Sequence, residues 1–240
     1  MKSGLFLALV LALLPAGCTS PGDYARGLAS PRTQACSPVT AAEIDAGLRE
    51  ALTLSTNTVA ARLGRTDGYY SDPRVRIPLP RNYRKIRDRL ALVNQSGHID
   101  SLELLINRAA EAAMPRARAL LVNAIRQMTM EDAIRILNGG DTAATAYLRD
   151  RTEPGLRAAF TPHVRDALAR SGAFSLAEDV LRPYGLAGAT ERLQADLTAH
   201  AVQHGLDGIF LYVAEEEKSI RENPMARTTD LLRRVFRGQR

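Results

Sequence analysis

Glu215, Glu216 and Glu217 stand side by side in a stretch with helical spacing, and Lys218 and Arg221 follow within one turn. Consecutive helical residues point about 100° apart, so three of them fan over roughly 200° and at least one carboxylate must approach the buried face or its border. A half-buried carboxylate there can act as a general acid or base, hold a cation, or join an ion-pair network with Arg227 or Asp230. Glu217 and Arg221 are also four residues apart, a pairing that adds about 0.2–0.5 kcal/mol on an exposed helix. Asp67, Asp72 and Asp141 fall at turn positions, where aspartate binds nearby backbone amides, and Asp141 is expected to cap the helix after it. His200 and His204 share one helix face with Asp196 and Asp207 nearby, the spacing that two-histidine metal sites use. With no HExxH and no third histidine in the segment, a solvated or capping role is expected and no metal. There is no GxSxG serine elbow and no phosphate-cradling glycine loop, Asn138-Gly139-Gly140-Asp141 reading as a turn plus cap, so no cofactor is implied.

Cysteine is equally restrictive. The two cysteines are Cys18 and Cys36, and neither lies in the stretch expected to fold, so thiol nucleophiles are excluded there. Lys2 followed by the apolar run Leu5 to Leu14 fits a signal peptide of residues 1–17, and the run is too short to span a bilayer as a mature helix. Pro15-Ala16-Gly17-Cys18 resembles the lipobox at which lipoprotein precursors are cut and the cysteine acylated, although Pro15 stands where leucine is most common. Thr19, rather than Asp, after that cysteine resembles the sorting signal for the outer membrane. Residues 18–38, rich in Ser, Pro, Gly and Thr, read as a flexible tether, and residues 39–240 as a single domain. The expected location is the outer membrane, facing the periplasm, with a membrane contact through a lipid anchor at Cys18.

The formal charge of +6 is carried almost wholly by arginine, because Lys2, Lys85 and Lys218 are the only lysines. An excess of this size suits anionic envelope surfaces, but it also suits arginine-rich solvated helix faces. Nucleic acid is not an expected partner, since no zinc-finger, RRM or helix-turn-helix signature appears.

The elements that must position these groups are helices. Thr40 to Glu43 forms a capping box, Ile44, Leu48, Ala51, Leu52, Val59 and Leu63 follow at helical spacing, and Gly64 suits the stop. Residues 65–80 hold too much Pro and Gly for a helix. They read as a loop ordered by Tyr69, Tyr70, Val75, Ile77 and Leu79, with a short extended segment near 75–79. Further helices are expected at 81–95, at 99–128 with a kink or break at Pro115, and after the cap Thr129. Others are expected at 141–151, at 153–170 with a kink or break at Pro162, at 174–184, at 191–222 and after Thr228 or Thr229. The expected fold is all-α, an irregular bundle of roughly seven to ten helices with one ordered Pro-rich loop.

Several of these segments together carry a family resemblance. Arg65-Thr66-Asp67-Gly68, the run from Asp72 to Pro80, Asn107-Arg108-Ala109-Ala110, Leu137-Asn138-Gly139 with Asp141 to Tyr147, and Ala214 to Pro224 followed by Arg227 to Leu232 resemble the DUF4197 family of proteobacterial envelope proteins. The resemblance spans roughly residues 40 to 237 and implies a helical fold and an envelope location. It implies no catalytic residue. Two functions are therefore weighed. One is a non-enzymatic envelope lipoprotein that binds a protein, lipid or peptidoglycan partner through the 65–80 loop and the segment 223–230. The other is a periplasmic hydrolase or metal-dependent enzyme using Glu215, Glu216 or Glu217 with Arg221 and Asp67 or Asp141.

Overall fold

Thr40 sets where the first helix begins. Its extended backbone turns the chain, its hydroxyl accepts from the Glu43 amide, and the Glu43 carboxylate accepts from the Thr40 amide at 2.9 Å. The computed structural model describes residues 38–92, 96–185 and 190–237. It contains α1 (Ala41–Gly64), α2 (Arg81–Ala91), α3 (Gly97–Arg126), α4 (Met130–Leu137), α5 (Ala143–Arg170), α6 (Ala173–Leu181), α7 (Thr190–Glu222) and α8 (Asp230–Val235). Two single 3-10 turns, Arg182–Tyr184 and Pro224–Ala226, follow α6 and α7, and no strand occurs among the described residues. The fold is an all-α bundle, and Val39–Arg240 forms one unit with its own core. The expected signal peptide, Cys18, the expected tether up to residue 37 and Cys36 lie outside the described residues.

α3 is the element around which the others gather, packing against α1, α2, α5, α6 and α7. Its buried face carries Ala109, Ala110, Ala113 and Ala117 among the larger Leu102, Ile106 and Met114, so neighbours approach closely at the alanines. The final turns of α3 end where Arg49 of α1 reaches over, its guanidinium donating to the carbonyls of Ile125 at 2.6 Å, Arg126 at 2.9 Å and Met128. α4 starts at a second capping box, Thr129 with Asp132, as the sequence indicates, and α8 starts at the Thr229 hydroxyl, which decides between Thr228 and Thr229.

The prolines do not break helices where expected. Pro115 lies inside the continuous α3, and Pro154 and Pro162 both lie inside α5, which runs unbroken through the segments read as two helices. All three prolines face solvent. The carbonyls that Pro154 and Pro162 leave without an amide belong to the exposed residues Asp150 and Ala158, where water can replace the lost bond. Gly64 is the last residue of α1 rather than a left-handed stop; a Cβ there would stand 3.1 Å from the Met114 Cβ, so the close approach of α3 explains it. The left-handed residue is Asp67, at φ 64°. α2 ends at Ala91, and residues 93–95, expected to continue it, are outside the described residues.

The 65–80 loop holds no strand; its order comes from side chains. Tyr69, Val75, Ile77 and Leu79 are buried, as expected, and Tyr70 is half-buried. α3 supplies what a partner strand would. Asn107, fully buried, accepts from the Ile77 amide at 2.9 Å and donates to the Ile77 carbonyl at 2.9 Å. One turn away on either side, buried Glu111 accepts from the Tyr69 amide at 3.2 Å, and buried Glu103 pairs with Arg76 at 2.7 Å and with Arg87 of α2 at 3.1 Å. On the far side Tyr69 donates to the Gly205 carbonyl at 2.8 Å, and a Cβ on Gly208 would stand 2.9 Å from its ring. The loop is thus clamped between α3 and α7.

Asn107→Leu leaves both polar groups of Ile77 buried without partners and should lower stability by about 3 kcal/mol in urea unfolding. A loss below about 1 kcal/mol would show that the loop does not depend on this bridge.

Candidate functional site

The acidic triplet divides by position on α7. Glu217 is the member that reaches the interior, 6% exposed. Its carboxylate accepts from the Ala144 amide at 2.9 Å and from the Thr145 amide and hydroxyl, both at 2.8 Å, and so closes the first turn of α5. Arg221, 5% exposed, binds Glu217 at 3.0 Å and donates to the Ile136 carbonyl at 2.8 Å and the Leu137 carbonyl at 3.3 Å, at the end of α4. The expected i,i+4 pair is therefore present but buried, with a helix start on one side and a helix end on the other. Asp141 does not cap α5: the N-cap is Thr142, no side-chain bond is made there, and Asp141 is exposed in the preceding turn. The cap comes instead from Glu217, across the bundle.

Glu215 is exposed and pairs with Arg74 of the loop at 2.8 Å. Glu216 is half-buried and makes no hydrogen bond or ion pair with a described residue. Burial raises the pKa of its carboxyl above the ordinary value, and Arg62 nearby opposes that rise.

Between α1 and the loop lies a cluster of charged groups. Tyr212 of α7 is flanked by two guanidinium groups, Arg62 at 4.0 Å and Arg74 at 5.0 Å from its ring centre. Asp72 receives the Tyr212 hydroxyl, the Arg74 amide at 3.1 Å, the Arg74 guanidinium at 3.1 and 3.2 Å, and Arg62 at 3.3 Å. Hydrogen bonds from Arg74 first, and then from Tyr212, hold the Asp72 carboxyl far below the usual carboxylate range. Asp67 pairs with Arg108 at 2.7 Å, and Arg108 pairs in turn with Glu111 at 2.7 Å, which ties the left-handed residue to α3. These groups border an open hollow of about 390 Å³ lined by Arg62, Arg65, Asp67, Ser71, Asp72 and Arg74 among others. The Arg65 guanidinium and the Ser71 hydroxyl are exposed and make no bond to a described residue. What the hollow offers chemically is hydrogen-bond donors and positive charge, with its carboxylates already engaged.

The C-terminal segment is explained by packing more than expected. Arg227 is buried and donates to the carbonyls of Ile220 at 2.9 Å and Arg221 at 2.6 Å, closing the end of α7, while Asp230 is exposed and pairs with Arg233. The structure thus brings Asp67, Asp72 and Glu215 to one face and Glu217, Arg221 and Arg227 to one interior cluster, and leaves Asp141 and Asp230 outside both. Sequence reasoning missed Glu103, Asn107 and Glu111, Arg62 and Arg74, and Tyr212. The ladder has a readable signal, since polar residues at 103, 107 and 111 interrupt an otherwise apolar helix face; the Arg–Tyr–Asp cluster, assembled from three elements, has none.

His200, expected to be solvated or capping, is half-buried and binds the Pro78 carbonyl at 2.6 Å through Nε2. A carbonyl only accepts, so Nε2 carries the hydrogen. His204 stacks beside it at 4.4 Å between ring centres. Among the described residues no three of His, Cys, Asp and Glu gather closely enough to hold a metal ion.

A family model described as "Protein of unknown function (DUF4197)" matches residues 38–237. No curated protein and no solved structure matches the chain.

Breaking the buried pair from one side leaves an uncompensated charge, so Arg221→Met should cost about 3–5 kcal/mol of unfolding free energy. Glu217→Leu combined with Arg221→Met should cost less than the sum of the single changes, and strict additivity would show that the two side chains do not act as a unit. Burial, above all, lowers the His200 pKa, so the unfolded chain takes up a proton more readily than the folded one. That contribution to stability is complete above the unfolded value of about 6.5 and declines as the pH falls through it. His200→Gln should flatten the decline between about pH 7.5 and 5.5 in thermal melts, and an unchanged pH dependence would count against it.

Proposed function

This chain belongs to the DUF4197 family, and on that premise we propose that it is a non-enzymatic lipoprotein of the cell envelope, held by an acyl anchor at Cys18 and facing the periplasm from the outer membrane. The domain binds a partner in the envelope through the face built by the 65–80 loop and the ends of α1 and α7. One observation carries this reading: Asp67, Asp72, Glu215 and Glu217 are committed to arginines or helix ends, which leaves only Glu216 and the exposed Asp141 of the carboxylates weighed for acid–base chemistry, while donors on the loop stay available. Asp67, Asp72, Glu215 and Glu217 each have an arginine partner. Arg65 and Ser71 stand open on the same hollow. A loop clamped from both sides by α3 and α7 presents those donors with little ordering left to do on binding, which favours a recognition surface. The anchor is supported by the leader chemistry around Pro15 to Cys18. Among the described residues no helix is long and apolar enough to cross a membrane. Acyl chains hold through about 0.8 kcal/mol for each buried methylene.

Cys18→Ser should release the chain from the membrane fraction of its native cells, and a variant that stayed membrane-bound and normally processed would refute the anchor. A photo-crosslinking residue at Ser71 should capture one envelope partner in intact cells, lost on Arg65→Glu. Capture of the same products from an exposed site remote from the loop, such as Arg165, would overturn the proposed face.

A further inference from the structure

α2 concentrates charge that the fold does not use. Its sequence, RNYRKIRDRLA, holds five cations and one carboxylate, a formal +4 in a chain whose whole excess is +6. Tyr83 and Ile86 are buried and point α2 onto the bundle. Arg81, Lys85 and Arg89 recur every four residues on the opposite face, with Arg84 at its border. None of these four makes an ion pair with a described residue, whereas Arg87, the fifth, is held by Glu103 and Asp88. Four like charges on a helix of 11 residues, about 16 Å long, repel one another within a screening length of about 10 Å. The fold gains nothing from that repulsion, and a polyanionic surface relieves it.

Two apolar features beside these cations say what kind of polyanion fits. Leu92, just past the end of α2, is 86% exposed and falls on the helical face that carries Arg81 and Lys85. At the other end Arg81 rims a hollow of about 320 Å³ between α2, α6 and α7, lined by Tyr83, Leu181, Leu193 and Leu197, with Arg192 and its ion-pair partner Asp196 also on its edge. Cations beside one exposed leucine and a hollow floored by apolar side chains suit a partner that offers phosphates and hydrocarbon together. We infer that the solvent face of α2 docks the domain on an anionic phospholipid surface, a contact separate from the acyl anchor and from the loop face. The phosphates meet Arg81, Arg84, Lys85 and Arg89, while Leu92 enters the interfacial layer. The contact rests on neither acylation of Cys18 nor a loop-bound partner, so it can stand or fall without them.

Residues 39–240 contain the whole described core, and this unit, lacking Cys18, is the protein to test. It should float with vesicles of phosphatidylcholine plus phosphatidylglycerol and not with phosphatidylcholine alone, and added salt should weaken the binding. Arg84→Gln, Lys85→Gln and Arg89→Gln together should weaken binding by about tenfold or more, with an unchanged circular dichroism melt. Arg116→Gln, Arg126→Gln and Arg170→Gln, which remove equal charge from exposed positions on α3 and α5, should change it by less than about twofold. Leu92→Ser should weaken vesicle binding while leaving retention on an acidic polypeptide unaltered. Equal losses from both triple variants would reduce the effect to net charge and overturn the inference. Failure to float with anionic vesicles would overturn it outright, and retention only on the acidic polypeptide would reassign the face to an acidic protein.

Discussion

A helix that ends inside a protein exposes backbone groups that water cannot reach, and the Glu217–Arg221 pair answers that constraint twice over. The carboxylate sits on the free amides of α5, where the helix dipole is positive, and the guanidinium on the last carbonyls of α4, where it is negative. Each charge is therefore stabilised by its helix end as well as by the other charge, which offsets the desolvation that makes most buried ion pairs unfavourable. The short connection from α4 to α5 is placed against α7 by the same contact, and Leu48, Leu52 and Ser55 of α1 line the space around it. Arg227 extends the arrangement by closing α7 on the carbonyls of Ile220 and Arg221. Arg49 does the same for α3. Arg49, Arg221 and Arg227 thus each serve a helix end, a use that the cations of α2 do not have.

The loop follows the same rule with a different donor set. An irregular segment packed between helices must find partners for its amides, and Asn107 and Glu111 supply them without a sheet, while Glu103 holds the Arg76 side chain. Because Arg108 joins Asp67 to Glu111, the strained left-handed turn and the buried ladder form one hydrogen-bonded system. The outward-facing arginines inherit the rigidity of α3, and this connects the packing of the core to the proposed recognition face.

What the sequence made legible was local. Thr40 and Thr129 declare helix starts because a cap needs only the three residues after it, and both stand where the pattern placed them, while the start left between Thr228 and Thr229 falls at Thr229. The burial of one member of the acidic triplet also followed from angular spacing alone. Caps made at a distance were not legible: Asp141 looked like the cap of α5, whereas the true cap is separated from it by most of α5 and α7. Proline was misleading for a related reason: Pro115, Pro154 and Pro162 all lie on solvent-facing sides of their helices, and which way a helix position faces is a property of the packed bundle. His200 shows the limit most plainly. Its partner is a carbonyl in the loop, and no spacing within α7 points to it.

The loop's two feet stand closer together than its length requires. Tyr69 is held opposite Glu111 and Ile77 opposite Asn107, one turn of α3 apart or about 6 Å, while the eight residue-to-residue steps from one to the other could stretch over roughly 26 Å. The surplus chain has to bow away from the helix, and Ser71 to Arg74 form the crest of that bow. Extra residues at the crest would leave both footings in register and add only about 0.6 kcal/mol of closure entropy for each doubling of length. What they would disturb is the top of the bow, where Asp72 and Arg74 bind Arg62 of α1 and Tyr212 and Glu215 of α7, so the charged outline of the crest is set by three elements at once.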